Sequence, residues 1–127
     1  MFRTLLVEDS RTFRDTLSGV LHTHFPDMQV VEAEDGVQAL DEVESVLPDI
    51  IFMDIKLPGA SGIELTRQIK LAHAEVVVVI LTSYDLPEYR QAAYRNGADC
   101  FISKGDVCCM VEVLARVEGV RTLRKIH

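Results

Sequence analysis

The chain of 127 residues lacks a hydrophobic run long enough to cross a membrane. Its longest continuous apolar run covers residues 76–81, far short of the roughly 20 residues that a membrane helix needs. The first residues, Met-Phe-Arg-Thr, also lack the hydrophobic segment of a secretory signal. We therefore expect a soluble, cytoplasmic protein that makes no contact with a membrane.

Cysteine is scarce, and no CxxC pair is present. The three cysteines are Cys100, Cys108 and Cys109. Adjacent cysteines rarely form a disulfide with each other, so a reducing compartment is the simpler interpretation. We expect these thiols to serve in packing.

Positive charge is also in short supply, with 13 Lys and Arg against 20 Asp and Glu and a net charge of −7. An acidic domain repels phosphate backbones, so we expect no direct binding of nucleic acid by this domain. The exception is a locally basic C-terminal segment with Arg116, Arg121, Arg124 and Lys125. A helix end is favoured for it over the start of a linker.

Repeats, low-complexity tracts and internal linkers are absent from the sequence as well. With 48% hydrophobic residues, the length suits one domain over residues 1–127. Whether the gene continues into a further module stays open.

Short apolar runs alternate with segments of helical period, which predicts βαβ units and an α/β fold, with a mostly parallel sheet between two layers of helices. Strands are predicted at 3–8, 28–32, 49–53, 76–81 and 99–102, and helices at 11–24, 36–46, 62–72, 86–96 and 106–118. Ser10, Asp35 and Asp85 are predicted caps of the first, second and fourth helices. Gly97 is the predicted stop of the fourth.

Polar side chains follow four of the predicted strands at the point where each strand ends. They are Glu8 and Asp9, Asp54, Thr82 and Ser83, and Ser103 and Lys104. Because the carboxyl ends of parallel strands open into the crevice where such sheets bind ligands, we expect one shared pocket.

The residue types in this pocket suit phosphoryl transfer. Glu8, Asp9 and Asp54 are hard oxygen ligands whose mutual repulsion a Mg²⁺ ion would relieve. Lys104 and the Thr82 hydroxyl can contact phosphoryl oxygens. Asp54 can then attack phosphorus directly, since a carboxylate is already ionised at neutral pH and needs no general base.

In these residues, and in the loop from Asp54 to Gly62 with Pro58 between them, the chain resembles the receiver domains of two-component response regulators, the chemotaxis-regulator-like (CheY-like) superfamily. The resemblance covers essentially the whole chain. It implies a three-layer, doubly wound sheet of five parallel strands in the flavodoxin-like order 2-1-3-4-5, with five helices.

The resemblance also implies a role for each site residue. Asp54 would be the phosphoacceptor, assisted by Thr82 and Lys104, and Thr82 and Phe101 would form the switch. The ligands of Mg²⁺ would be the carboxylates of Glu8, Asp9 and Asp54 and the main-chain carbonyl of Lys56.

The implied function is that of a switch controlled by phosphorylation and not that of an enzyme acting on an external metabolite. A sensor histidine kinase or a phosphotransfer protein would donate the phosphoryl group. The receiver would then change its contact with a downstream effector or output domain. A homodimer could form through the face made by the fourth helix, fifth strand and fifth helix.

The chain departs from the family at Gly105, where receiver domains usually have a proline. This glycine removes the strongest reason to expect a cis peptide bond there. Two other classes of protein fit the sequence less well. A phosphatase of the haloacid-dehalogenase type needs a second aspartate where this chain has Lys56, and a module without phosphorylation chemistry would not be expected to keep all five site residues.

Overall fold

The structure is a computed structural model that describes the backbone of residues 2–126 and the side chains of residues 2–120. Residues 2–126 contain seven strands: β1 (Arg3–Val7), β2 (Gln29–Ala33), β3 (Ile50–Met53), β4 (Lys56–Leu57), β5 (Ala60–Ser61), β6 (Val77–Thr82) and β7 (Cys100–Ser103). The same described part of the chain contains five helices: α1 (Arg11–His24), α2 (Gly36–Val46), α3 (Gly62–Ala72), α4 (Pro87–Arg95) and α5 (Val107–Ile126).

Five of the strands form one parallel sheet in the order β2-β1-β3-β6-β7. This is the predicted order 2-1-3-4-5 once the two short strands of the loop are left out of the numbering. The central strands β1 and β3 are buried on both sides, as expected of a parallel sheet covered by helices. The predicted α/β fold class is therefore confirmed.

The core has one half on each side of the sheet. On one side, α2, α3 and α4 pack against a cluster that includes Leu5, Ile51 and Ile80. On the other side, α1 and α5 cover a cluster that includes Phe52 and Leu114. Among the described residues, no helix has both the length and the apolar character required to cross a bilayer.

The caps of α1 and α2 agree with the predictions. The Ser10 hydroxyl accepts a hydrogen bond from the Phe13 amide (3.3 Å), and the Asp35 carboxylate accepts one from the Gln38 amide (2.9 Å). The stop at Gly97 is also confirmed, because its φ of +103° lies in the region that favours glycine.

The predicted cap of α4 by Asp85 is wrong. The residue at the cap position is Leu86, in extended conformation, and it makes no side-chain cap bond. Pro87 explains the shift, because a proline disfavours helical geometry at the residue before it and suits the first position of a helix. Asp85 instead pairs with Arg90 (2.9 Å).

Two other features differ from the sequence predictions. The last helix runs to Ile126 instead of ending near residue 118. The loop after β3 contains an antiparallel hairpin, β4–β5, that periodicity did not reveal because each strand has only two residues. Pro58 and Gly59 form its turn, and Gly59 has φ +66°, as the third residue of a type II turn requires. Within residues 2–126 no peptide bond is cis.

Gly62 begins α3 against the end of β3. A Cβ atom placed on Gly62 would lie 1.8 Å from the carbonyl oxygen of Asp54. The Gly62 amide donates to the Ile55 carbonyl (2.8 Å), which holds the hairpin and the helix start together. The absence of a side chain at Gly62 therefore fixes how closely α3 approaches Asp54.

We expect Gly62→Ala to lower the free energy of unfolding by about 2–4 kcal/mol, since backbone atoms must move to admit the methyl group. Gly19→Ala is the matched control, because nothing lies within 4 Å of its Cβ position in α1. It should stabilise the protein by about 0.5–1 kcal/mol through helix propensity. Urea unfolding followed by circular dichroism measures both, and equal effects would contradict the steric explanation.

Candidate functional site

The carboxyl ends of the sheet strands meet at one edge, and the register places the candidate residues side by side. Val7 pairs with Met53, so Glu8 and Asp54 follow directly on neighbouring strands. The Asp54 amide donates to the Val7 carbonyl (3.0 Å). Thr82 pairs with Ser103 in β7, directly before Lys104.

Three carboxylates come together at this edge. Each of Glu8, Asp9 and Asp54 offers one oxygen, and these oxygens all lie within 4.8 Å of one another. Glu8 and Asp54 are buried, with 4% and 5% of their surface exposed, whereas Asp9 is exposed. Two buried carboxylates at this separation need a cation to neutralise them.

Lys104 supplies part of that positive charge. Its Nζ atom lies 2.7 Å from Glu8 Oε2 and 3.0 Å from Asp54 Oδ2. The Phe13 ring lies below the ammonium, with 4.5 Å between Nζ and the ring centroid. Three carboxylates and one ammonium leave two negative charges when all are ionised, which one divalent cation balances.

The ionisation of Glu8 and Lys104 reflects this crowding. Burial, aided by the neighbouring Asp54, raises the pKa of Glu8 to about 7, although hydrogen bonds from Lys104 and the Ser10 amide lower it. Burial disfavours the charge on Lys104, but the hydrogen bonds and charges of Glu8 and Asp54 outweigh it and raise the pKa of the lysine. The lysine is therefore charged at neutral pH, while Glu8 is poised between its two forms.

Both oxygens of Asp54 are held. Oδ1 accepts a hydrogen bond from the Ile55 amide (2.7 Å), and Oδ2 accepts one from Lys104 (3.0 Å). The donor set around Asp54 consists of carboxylate oxygens, the type that Mg²⁺ prefers, and it contains no thiolate or imidazole. The residues present thus fit a magnesium ion better than zinc.

The other predicted residues lie around this centre. Thr82 is fully buried at the end of β6, where its hydroxyl accepts a hydrogen bond from the Tyr84 amide (3.2 Å). Phe101 is buried in β7, and the Arg90 guanidinium stacks on its ring at 4.7 Å. Lys56 begins the hairpin two residues after Asp54, with its side chain exposed.

Among the described residues, three side chains that contact the site residues were not found from the sequence. Phe13 lies under Lys104, Tyr89 lies beside Lys56 (5.5 Å from Nζ to the ring centroid), and Arg14 binds the main chain of Glu8 (2.6 Å). A signal existed for Arg14, because it is three and seven residues before the buried Leu17 and Leu21 of α1. A charged residue on the buried face of a helix requires a partner.

Comparison with known proteins gives the family. The sequence profile of the response regulator receiver domain matches residues 4–114. The chain therefore belongs to the receiver domains of response regulators, which are signalling domains of two-component systems.

Individual relatives agree with this assignment. The response regulator MprA of Mycobacterium avium is 33% identical over 118 residues, which is 93% of this chain and 50% of MprA. The chain thus spans about half the length of the curated relatives it matches.

Solved structures give the same picture. A two-component response regulator of the LuxR family from Aurantimonas sp. superposes with a TM-score of 0.84 at 30% identity, covering 92% of this chain and 85% of that one. The Mn²⁺-bound form of response regulator Rcp1 superposes with a TM-score of 0.77 at 26% identity, covering 90% and 91%.

The raised pKa of Glu8 predicts how stability depends on pH in the presence of EDTA. The ordinary pKa of this glutamate is 4.5, and in the folded protein it is about 7. Between these two pH values, Glu8 binds a proton in the folded protein but not in the unfolded chain. The free energy of unfolding should therefore fall by about 1–3 kcal/mol as the pH rises from 5 to 8.

Urea unfolding at several pH values measures this dependence, and Glu8→Gln is the control because it cannot titrate at that position. In EDTA, the difference between the free energies of unfolding of the two proteins should change with pH from 5 to 8. This dependence on pH should be smaller when Mg²⁺ is added. A difference that stays constant with pH would contradict the assignment.

Proposed function

We propose that this domain is a phosphoacceptor switch in which Asp54 receives a phosphoryl group with the help of Mg²⁺. The observation that carries the proposal is the contact of the Lys104 ammonium with both Asp54 and Glu8, inside a cluster of three carboxylates. Such a cluster could bind a divalent cation and a phosphoryl group at the same place.

The reaction follows from the partners of Asp54. An oxygen of the carboxylate attacks the phosphorus of a phosphohistidine, the new O–P bond forms as the P–N bond breaks, and the imidazole leaves with the electron pair. Lys104 can pass from Asp54 Oδ2 to an oxygen of the transferred group, so its charge is used before and after transfer. The Ile55 amide holds the other carboxylate oxygen in place.

Magnesium would be held by Glu8, Asp9, Asp54 and the main-chain carbonyl of Lys56. It supplies positive charge to the phosphoryl oxygens when bound. The three carboxylates of this set support the assignment, because when all three are ionised Lys104 leaves two negative charges, which match one divalent ion.

Signal output would pass through Thr82 and Phe101. Thr82 is on β6, the strand next to the one that leads to Asp54. Phe101 is on β7, beyond β6, and the Arg90 guanidinium lies over its ring. A move of the Thr82 hydroxyl toward the phosphoryl group would release the Tyr84 amide and change the start of α4. The face of α4, β7 and α5 is then the surface that a partner, or a second copy, would meet.

The partners proposed are a histidine kinase or phosphotransfer protein upstream and an effector or output domain downstream. The relative MprA supports the second part, because half of its length lies outside the part that matches this chain. We place the reaction in the cytoplasm, with residues 1–127 working as one receiver unit and without enzymatic turnover of an external substrate.

Phosphorylation is tested by incubating the protein with acetyl phosphate and Mg²⁺. Intact mass should increase by about 80 Da for one phosphoryl group, and the adduct should be labile to base. EDTA should abolish it, since the carboxylates alone repel the donor.

Asp54→Asn is the decisive variant and should show no adduct. Asp99→Asn should still form the adduct, because Asp99 directly precedes β7 and lies at the opposite end of the strands from the site. An adduct that persists in Asp54→Asn would refute the proposal. Hydrolysis of p-nitrophenyl phosphate by the unmodified protein would instead indicate a phosphatase.

We also predict that Lys56 and Tyr84 slow the loss of the phosphoryl group. The Lys56 ammonium lies over the Tyr84 ring at 5.3 Å, and Tyr84 packs edge-on against Tyr89 at 6.1 Å, so these side chains hold one another beside the site. Together they should restrict the approach of water to phosphorus.

The double variant Lys56→Ala, Tyr84→Ala should shorten the half-life of the phosphorylated protein about threefold or more, equivalent to ~0.7 kcal/mol of barrier. Tyr94→Ala, an exposed tyrosine of α4, serves as control and should leave it unchanged. An unchanged or longer half-life in the double variant would count against shielding.

A further inference from the structure

Arg14 is a mostly buried cation on α1 that belongs to no part of the proposed phosphoryl chemistry. Only 11% of its side chain is exposed. Its guanidinium makes contacts in two directions, toward the loop after β1 and toward the end of β2. An arginine this buried is retained only where its donors are satisfied.

On one side, Nη1 of Arg14 donates to the main-chain carbonyl of Glu8 at 2.6 Å. On the other side, Nε donates to Glu32 Oε1 at 3.0 Å, and Nη2 lies 4.0 Å from Glu34 Oε2. Glu32 is further held by the Ser18 hydroxyl (3.4 Å). The planar guanidinium thus joins the Glu8 loop to the edge strand of the sheet.

The consequence for Glu8 is that its main chain is held at both polar atoms. The Glu8 amide donates to the Ala33 carbonyl of β2 (3.0 Å), and its carbonyl accepts from Arg14. The side chain leaves this fixed position toward Lys104, and Oε1 accepts from the Ser10 amide (3.1 Å). The orientation of the Glu8–Asp9 pair therefore depends on where its peptide groups are held.

We propose that Arg14 is a positioning residue of the divalent cation site, which it shapes by fixing the peptide after Glu8 and with it the direction of the Glu8 and Asp9 carboxylates. The proposal rests on the proposed function, since it assumes that these carboxylates bind a divalent ion. Arg14 does not touch the reacting atoms and acts through the Glu8 carbonyl, which belongs to the peptide between Glu8 and Asp9.

Simple electrostatics predicts the opposite outcome from positioning. Removing a positive charge near an acidic site strengthens the binding of a cation, because the Coulomb repulsion between that charge and the cation is lost. If Arg14 acted only as a charge, its removal would tighten the binding of a divalent ion. If it positions Glu8 and Asp9, its removal loosens the ligands and weakens binding.

The test measures the binding of Mn²⁺ alone by electron paramagnetic resonance. Arg14→Gln should raise Kd about 10-fold, at the lower end of the effect of outer-shell partners on metal affinity. Arg11→Gln removes the same charge from an exposed position of the same helix and should leave Kd unchanged or slightly lower. Lys70→Gln breaks a comparable pair with Asp99 (2.7 Å) at the other edge and controls for a loss of stability.

Arg14→Lys keeps the charge but cannot reach Glu8 and Glu32 with a rigid fork, so part of the loss should remain. It also decides the question if Arg14→Gln fails to fold. At saturating Mg²⁺, the phosphorylation rate of the Arg14 variants with acetyl phosphate should return to within about twofold of wild type, because the defect lies in binding the ion.

Unchanged or tighter Mn²⁺ binding in Arg14→Gln, or wild-type binding in Arg14→Lys, would overturn the proposal. Equal weakening in Lys70→Gln would also overturn it, because the effect would then be one of stability. Failure of the proposed function looks different: wild-type protein would not bind Mn²⁺, or Asp9→Asn would leave binding intact, and both proposals would fall together.

Discussion

The contact of Lys104 with two buried carboxylates is the interaction on which the arrangement of this domain depends. Glu8 and Asp54 are nearly inaccessible to water, and they are neighbours on adjacent strands. Without the ammonium, the free energy of burying two like charges would oppose the pairing of β1 with β3 at this end. Lys104 follows β7, which is separated from β3 by β6. The ion pairs of Lys104 with Glu8 and Asp54 therefore connect three separate segments of the chain.

Much of the fold could be predicted because local and global signals agree. The starts of α1 and α2 follow from their cap residues, and the α/β alternation gives the parallel sheet. The Asp85 prediction failed because two local rules competed, and the rigid ring of Pro87 prevailed over a favourable cap residue. The β4–β5 hairpin was missed because strands of two residues carry no period.

Some residues of the candidate site could likewise be predicted from the sequence, and others could not. The position of Glu8, Asp54, Thr82 and Lys104 at one edge follows from parallel strands alone, since every residue after such a strand emerges at the same side. The contacts of Phe13, Arg14 and Tyr89 depend on side-chain packing between elements that are distant in sequence. A linear pattern shows that Arg14 faces inward, but it cannot show which carbonyl its guanidinium meets.

The close approach of Gly62 to Asp54 limits the direction in which the structure around Asp54 can move. With the carbonyl of Asp54 already against the first turn of α3, no space remains on that side to accommodate a larger group. Displacement is sterically easier toward the segment from Ser83 to Leu86, whose residues are all exposed. A larger group on Asp54 would therefore be expected to displace the exposed segment after β6 before it displaces α3.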